Sequence, residues 1–232
     1  MLVSGRNNAK EILKNFSNKK MIKRVICSKN FNELDILSLI KKGNLEIEYK
    51  EKRELDRLAK NNHQGIILEV EDFCYTELDS LIKDGDCKLL ILDHLEDPHN
   101  LGAIIRTVEA AGLDGIILPK NRSVEVTETV MKTSVGALYN VKISQVTNLN
   151  QTIKKLKNLG FWIVGTDMNG EDYQKIKYPN RCVLIIGSEG FGMSRLVRES
   201  CDFIAKIPMH GKINSLNASV ATGIMIYELI RK

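Results

Sequence analysis

The hydrophobic residues of this chain follow two patterns, and the change from one to the other falls near residue 88. Before that point, short apolar runs alternate with segments of helical spacing. Strands are predicted at 24–27, 45–48 and 65–70, and helices are predicted to begin near Gly5 and to cover 32–40 and 53–59. This stretch is too short for a full doubly wound domain. Residues 1–70 are therefore expected to form a small α/β domain.

From residue 88 onwards the predicted strands are continuous apolar runs, as expected for parallel strands covered on both faces. These runs lie at 89–92, 115–118, 162–164 and 183–186, with helical segments at 101–111, 125–135 and 149–159 between them. Alternation of this kind predicts a mostly parallel sheet with helices on both faces, here over residues 88–232. Residues 71–87 are mixed and acidic, and we expect a linker there, with a short helix at 75–82.

Composition adds a charge asymmetry to this division. The hydrophobic fraction of 43% is ample for a packed core, and the net charge is +5. Residues 1–60 carry 15 lysines and arginines against 8 aspartates and glutamates, so the remaining chain is near neutral. A basic front on a neutral body favours a module that binds a polyanion, although ordinary solvated lysines explain the charge alone equally well.

The cysteines and the apolar runs argue against several classes of protein. The five cysteines are odd in number and include no C-x-x-C pair, so neither a disulfide framework nor a zinc cluster is expected. Cys182 and Cys201 lie in apolar surroundings and are expected in the core. No apolar run approaches the roughly 20 residues that span a bilayer, and no signal peptide is recognisable. We expect a cytoplasmic protein without a membrane partner or a metal.

The first of three polar segments follows the strand predicted at 89–92, where ligands of parallel sheets bind. It runs from Asp93 to Gly112 and contains DPHNLG at 97–102, with Asn100 as the predicted N-cap of the next helix. Arg106 lies beyond the cap, and its long side chain could lean back over the loop. A surface arginine paired with Glu109 is the alternative on spacing alone.

The second segment begins where the strand at 183–186 runs into Gly187, Gly190 and Gly192 before a helix at 194–200. Glycines allow a backbone to approach a ligand closely, but an ordinary tight turn explains them equally well. The pattern is neither G-x-G-x-x-G nor a P-loop, which argues against a nucleotide-binding oxidoreductase. Glu189 within the loop offers a carboxylate that could accept hydrogen bonds from ribose hydroxyls.

The third segment starts at a short strand that ends at Ile207-Pro208 and continues to SLNAS at 215–219, which opens the final helix. Ser215 or Asn217 is predicted to cap that helix. Two caps and a further hydroxyl within five positions exceed what capping needs. The apolar stripe of this helix, at 216, 220, 224 and 227, fits either a core or an interface.

Taken in order, the three segments resemble the motifs of the SpoU family of RNA 2′-O-ribose methyltransferases. The resemblance implies a SPOUT catalytic domain with a C-terminal trefoil knot, although chains rarely thread their own loops. It also implies S-adenosylmethionine as cofactor, an RNA substrate, a homodimer and no metal. The N-terminal unit is similar to a small ribosomal-protein-like RNA-binding domain. HQGI at 63–66 is typical of a subfamily that includes the bacterial enzyme that methylates a guanosine ribose in large-subunit ribosomal RNA.

The resemblance also assigns roles to individual residues. The residues implied to hold the cofactor are Gly187, Ile207 and Leu216, with Gly190, Gly192 and Met209 beside them. The residues implied to serve the RNA and the chemistry are Arg106, Asn100, Glu189, Ser215 and Asn217.

The implied role of Arg106 leaves a choice between proton acceptor and positioning group. A guanidinium is a poor base because it has donors and no acceptor, so we favour positioning of the ribose and its phosphate. Two alternatives to ribosomal RNA methylation are a transfer RNA 2′-O-methyltransferase and a non-catalytic RNA-binding protein of the same fold. The second would predict substitutions at Asn100, Glu189 or Asn217, and the sequence has none.

Overall fold

The computed structural model describes residues 1–15, 21–59, 62–188 and 190–231. These residues form two compact units. The first unit comprises Met1–Cys74 and Val126–Gly136, and the second comprises Tyr75–Glu125 and Ala137–Lys232.

The first unit is a four-stranded sheet with helices. Its elements in chain order are β1 (Leu2–Ser4), α1 (Arg6–Asn15), β2 (Ile22–Ser28), α2 (Leu34–Lys42), β3 (Ile47–Lys50), α3 (Lys52–Leu58) and β4 (Ile66–Val70). The strand order is β1-β4-β2-β3, with β2 and β3 parallel and the other pairs antiparallel. Successive side chains of a strand alternate between faces, so Ile26 and Ile67 meet Leu55 of α3 in one buried cluster.

The small α/β domain expected from the sequence is confirmed, with two differences in detail. The strand predicted at 45–48 lies two residues later, at Ile47–Lys50. The strand at Leu2–Ser4 was not predicted, because three residues are too few to show a periodicity.

The second unit contains a six-stranded sheet whose recorded pairings are all parallel. Its elements are β5 (Cys87–Asp93), α4 (Pro98–Ala111), β6 (Gly115–Pro119), β7 (Ile143–Val146), α6 (Leu149–Asn158), β8 (Trp162–Asp172), β9 (Arg181–Gly187), α7 (Arg195–Glu199), β10 (Phe203–Lys206) and α8 (Ala218–Leu229). Between β6 and β7 the chain forms α5 (Glu128–Ser134), which belongs to the first unit. The strand order is β10-β8-β9-β5-β6-β7.

The sheet is covered on both faces, which explains its uninterrupted apolar strands. Leu89 of β5 and Val183 of β9 belong to a buried cluster completed by Ile153 of α6 and Val197 of α7. Helices α4 and α8 pack against each other, and α8 also contacts β9. The predicted parallel sheet with flanking helices is confirmed, whereas the trefoil knot stays a prediction.

Three details of the second unit differ from the sequence prediction. The helix predicted at 75–82 is a single 3₁₀ turn at Leu78–Leu81. Strand β7 was missed because its sequence, ISQV, is half polar. Strand β8 runs on to Asp172, well past the predicted 162–164. In the part of the chain that the structure describes, no helix is long and apolar enough to cross a membrane.

Candidate functional site

A cavity of about 710 Å³ lies at the carboxyl ends of β8, β9 and β10. Crevices at this edge are where ligands of parallel sheets bind, and this volume falls within the range of small-molecule sites. The cavity is lined by residues 166–169 within β8, by Ile186–Ser188 and Gly190–Gly192 at and after the end of β9, by Ala205–Met209 and Asn214–Leu216 at and after the end of β10, and by Ala218, Ala221 and Met225 of α8. The walls are therefore mostly backbone and apolar side chains.

One wall is the glycine loop, residues 187–193, which follows β9. Ser188 and Gly192 exchange two backbone hydrogen bonds of 3.1 and 3.0 Å, which close the loop into a small hairpin. A Cβ on Gly187 would lie 2.1 Å from the carbonyl carbon of Gly192, so only glycine fits. Gly192 has a φ of +65°, a conformation that favours glycine. Gly190 borders open space, and Glu189 lies outside the described residues.

The facing wall is the C-terminal loop, residues 207–217, which joins β10 to α8. From Met209 to Asn217 every residue of this loop is exposed. Ile207, Met209, Ser215 and Leu216 all line the cavity, as expected for residues next to a ligand. Ser215 does not cap α8, because the helix begins three residues later at Ala218.

The residue that caps α8 is Asn217, as one of the two sequence alternatives predicted. Its Oδ1 accepts from the backbone N–H of Ser219 at 3.0 Å and from that of Val220 at 3.3 Å. Its Nδ2 donates to Oδ1 of Asn100 at 3.0 Å. A single side chain thus starts the final helix and ties it to α4, which brings the first and third sequence motifs together.

The predicted capping role of Asn100 is wrong. Helix α4 begins at Pro98, and the cap is Asp97, whose carboxylate accepts from the backbone N–H of His99 at 2.9 Å. Proline suits the first helical position because its missing N–H would have no partner there. Asn100 instead lies within the first turn and is buried. This position allows its side chain to reach α8.

Arg106 stands apart from the cavity walls. It lies on the exposed side of α4 and is not among the residues that line the cavity. Its predicted alternative, an ion pair with Glu109, is absent among the described residues, and Glu109 instead accepts from Nδ2 of Asn140 at 3.2 Å. The guanidinium is therefore available to a partner outside the described chain.

The sequence missed the contribution of β8 to the site. Thr166, Asp167, Met168 and Asn169 all line the cavity. Asp167 also accepts from Nε of Arg198 in α7 at 3.1 Å, which links this stretch to the helix after the glycine loop. A signal was available, because the strand predicted at 162–164 must end at the same edge as the strand at 183–186.

The thiol of Cys182 lies in the core, as the sequence predicted, whereas Cys201 is partly buried and packs against the core. Cys182 is fully buried, and burial raises the pKa of its thiol to about 12. Burial likewise raises the pKa of the Cys201 thiol to about 11. Both thiols therefore stay neutral at physiological pH. Within the described residues, no three His, Cys, Asp or Glu side chains are grouped closely enough to hold a metal ion.

The cavity suits a nucleoside-containing cofactor such as S-adenosylmethionine. Ile186, Leu216 and Met225 offer apolar surface for a base, and the backbone of the glycine loop offers polar groups at close approach.

Comparison with known sequences gives this cavity a family. The profile of the SpoU rRNA Methylase family matches residues 88–227. The profile described as RNA 2′-O ribose methyltransferase substrate binding matches residues 2–76. A protein of Bacillus subtilis named as a TrmH family tRNA/rRNA methyltransferase is 43% identical, over 99% of this chain and 95% of its own length.

Comparison with solved structures agrees with the sequence profiles. The SpoU methyltransferase AviRb of Streptomyces viridochromogenes, solved with AdoMet, superposes with a TM-score of 0.82 over 99% of this chain and 89% of its own; at 22% identity it shows the fold alone. An AdoMet-bound rRNA methyltransferase of Sinorhizobium meliloti is 26% identical with a TM-score of 0.76, over 98% of this chain and 85% of its own. The chain belongs to the SpoU methylase family, and it is an RNA methyltransferase that uses S-adenosylmethionine.

Proposed function

We propose that this enzyme methylates a ribose 2′-hydroxyl, and that its substrate is a guanosine of large-subunit ribosomal RNA, modified in the cytoplasm. The observation that carries the proposal is the meeting of the three sequence motifs. The glycine loop and the C-terminal loop face one cavity, and Asn217 bonds to Asn100 of the first motif. An arrangement that needs all three segments at one place suits a reaction between a bound cofactor and a second substrate.

The cofactor side of the site is assigned to the two loops. S-adenosylmethionine, when bound, supplies an electrophilic methyl group, so the chain itself need not provide one. Gly187, Gly190 and Gly192 present backbone groups, while Ile207, Met209 and Leu216 enclose the cofactor. Such walls hold an adenosine by shape and backbone hydrogen bonds rather than by charge.

The RNA side is assigned to Arg106 with Asn100, Glu189, Ser215 and Asn217. The exposed guanidinium of Arg106 has donors for a phosphate and a ribose oxygen. Its task is to hold the 2′-oxygen in line with the methyl group, because alignment at roughly 3 Å lowers the barrier substantially. The hydrogen bond between Asn217 and Asn100 holds the start of α8 against α4. Ser215 is exposed at the cavity, where it can contact the ribose.

The first unit is proposed to bind the RNA around the target nucleotide. We assign residues 1–70 to this domain, 71–87 to a linker and 88–232 to the catalytic domain. Many lysines and arginines of the first unit form ion pairs with carboxylates, as in Arg6–Glu33, Lys10–Asp35 and Lys29–Glu51. Among the described residues, however, Lys41, Lys42, Lys52, Arg53 and Arg57 have no such partner and are exposed. Free cations of this kind are available to RNA phosphates.

We further propose that two copies of the chain form a homodimer through α8. The stripe at 216, 220, 224 and 227 does not serve the core of the unit. Val220 and Tyr227 are half exposed, and Leu216 and Ile224 are partly exposed. The core is served instead by Ala218, Met225, Ile226 and Leu229. A helix that is apolar on its outer face marks an interaction surface. Sedimentation equilibrium of wild type and Tyr227→Arg tests this, and a monomeric wild type would contradict it.

The decisive experiment transfers a tritiated methyl group from S-adenosylmethionine to ribosomal RNA and, separately, to transfer RNA, followed by mapping of 2′-O-methyl sites. We expect label on a ribosomal guanosine, little transfer with Arg106→Ala, and full transfer with the surface control Arg231→Ala. Label on transfer RNA alone would favour the alternative substrate, which the name of the B. subtilis relative includes. Equal transfer by wild type and Arg106→Ala would overturn the role of Arg106. Binding of both substrates without any transfer would identify a non-catalytic RNA-binding protein.

A further inference from the structure

A buried carboxylate lies behind the cavity at the end of β5, and the mechanism above gives it no task. Asp93 is the last residue of this strand, and its side chain is fully buried. It does not line the cavity. Burying a carboxylate is expensive unless its oxygens are hydrogen-bonded. The position of Asp93 therefore calls for a specific reason.

The partners of Asp93 supply this reason. One carboxylate oxygen, Oδ2, accepts from the backbone N–H of Ser194 at 2.7 Å, a contact between residues 101 apart in sequence. The other, Oδ1, contacts Nδ1 of the neighbouring His94. Ser194 directly follows the glycine loop and precedes α7.

Asp93 also lies beside the start of the glycine loop. In the parallel pairing of β5 with β9, Asp93 is in register with Gly187. The loop thus leaves the sheet next to the backbone of Asp93 and returns to its side chain. Between these points the Ser188–Gly192 hydrogen bonds close the hairpin. The loop is held at its entrance, across its middle and at its exit.

We propose that Asp93 is a positioning residue that sets the glycine loop in its binding conformation before the cofactor arrives. The proposal rests on the assignment of this loop to the cofactor. Without the Asp93–Ser194 bond, the loop would populate other conformations. Affinity would then fall in proportion to the fraction that remains competent. The rate of the reaction with bound cofactor would change little, because the cofactor itself restores the loop.

The test compares replacements of Asp93 with those of a second carboxylate, Asp114, which is less buried and also pairs with Lys83. Asp114 accepts from the backbone N–H of Lys88 at 2.8 Å, at the opposite end of β5 and away from the cavity. Calorimetry with S-adenosylmethionine and with S-adenosylhomocysteine measures affinity directly. Loss of a buried hydrogen bond in Asp93→Ala should weaken binding about tenfold. Asp93→Asn retains an acceptor for Ser194 and should recover most of the affinity. Asp114→Ala should bind as wild type does.

Activity assays add a second readout. In Asp93→Ala the KM for S-adenosylmethionine should rise about tenfold, while kcat at saturating cofactor and the KM for RNA stay within about twofold of wild type. If Asp93 had a purely structural role, both Asp93→Ala and Asp114→Ala would lower stability. Neither variant would then raise the KM for S-adenosylmethionine while leaving kcat unchanged. Unchanged affinity in Asp93→Ala, or equal losses in both variants, would overturn the proposal.

A third variant covers the case in which Asp93→Ala does not fold. Ser194→Pro removes the same hydrogen bond from the donor side, and proline suits the φ of −60° at this position. It should weaken cofactor binding about tenfold, and wild-type affinity in this variant would overturn the proposal. If the wild-type enzyme itself binds no cofactor, the proposed site fails rather than Asp93. Hydrogen exchange at the Ser194 amide, faster in Asp93→Ala than in wild type and close to wild type in Asp93→Asn, still reports the anchoring.

Discussion

The two walls of the cavity are built in opposite ways. The glycine loop is closed by its own hydrogen bonds, packed so tightly at Gly187 that no side chain fits, and bound at its exit to Asp93. In the C-terminal loop, by contrast, residues 207–216 make no hydrogen bond to any described residue, and Ile213 is 71% exposed. The first wall is formed in the free chain. The second can adapt, so we expect it to order when a ligand or a second copy of the chain covers it.

The largest effect is expected where the fixed wall is packed most tightly. Gly187→Ala forces a Cβ against the backbone of Gly192, and overpacking of this kind should weaken binding of S-adenosylmethionine about 100-fold. Gly211→Ala, outside the residues assigned to the cofactor, is the control, because its Cβ would meet nothing within 4 Å. Calorimetry measures both. Similar affinities for the two variants would mean that the loop is not a fixed wall.

A smaller effect, on stability, is expected from substitution of Asn217, the last residue of the C-terminal loop, which hydrogen-bonds to Asn100. Asn217→Ala removes both the cap of α8 and the bond to Asn100, and should lower the free energy of unfolding by about 2 kcal/mol. Asn217→Asp keeps the capping oxygen but loses the donor to Asn100, so about half of that loss is expected. Denaturant unfolding separates the two variants. Equal stability of Asn217→Asp and wild type would show that the link to α4 adds nothing.

Hydrogen exchange should reveal the two walls in one experiment without a substitution. In the free enzyme the amides of Ser188 and Gly192 should exchange at least about 100-fold more slowly than those of residues 209–216, which have little protection. Addition of S-adenosylmethionine should slow exchange in the C-terminal loop more than in the glycine loop. Equal protection of the two loops in the free enzyme would contradict the comparison.

The smallest effect is expected within the adaptable wall. Gly211 borders open space and has no positive φ, so alanine can replace it without strain. Gly211→Ala should change the free energy of unfolding by less than about 0.5 kcal/mol. A loss of more than about 1 kcal/mol would indicate that this loop, too, is held in one conformation.

The parallel sheet could be predicted from the sequence because its central strands are continuous runs of apolar residues. Runs such as those at 89–92 and 183–186 are apolar on both faces, and only a covered parallel sheet requires this. Sequence prediction failed at short elements, such as β1 and β7, where too few residues carry the pattern. Sequence prediction also failed at the start of α4, where Asp97 and Asn100 are both good caps and the choice depends on Pro98.

Some residues of the site could be predicted from the sequence and others could not. Gly187, Ile207, Met209 and Leu216 were predicted beside the cofactor, and all four line the cavity, although their roles remain proposals. Residues 166–169 of β8 were missed because the strand was predicted to end at 164. The segment that begins at Asp93 was expected at this edge of the sheet, but no role was predicted for Asp93 itself. Asp93 reads as a polar residue at a strand end, and its importance depends on a partner 101 residues away.

Long sequence separations also affect how the enzyme folds. The contacts Asp93–Ser194 and Asn100–Asn217 span 101 and 117 residues. Strand β9 pairs with β5, although β6, β7 and β8 lie between them in the sequence. Closing such loops costs entropy before any contact compensates, so chains with this topology fold slowly. A half-folded chain would have neither wall in place. The capacity to bind cofactor should therefore appear only with the last step of folding, which makes ligand binding a sensitive indicator that the native state has been reached.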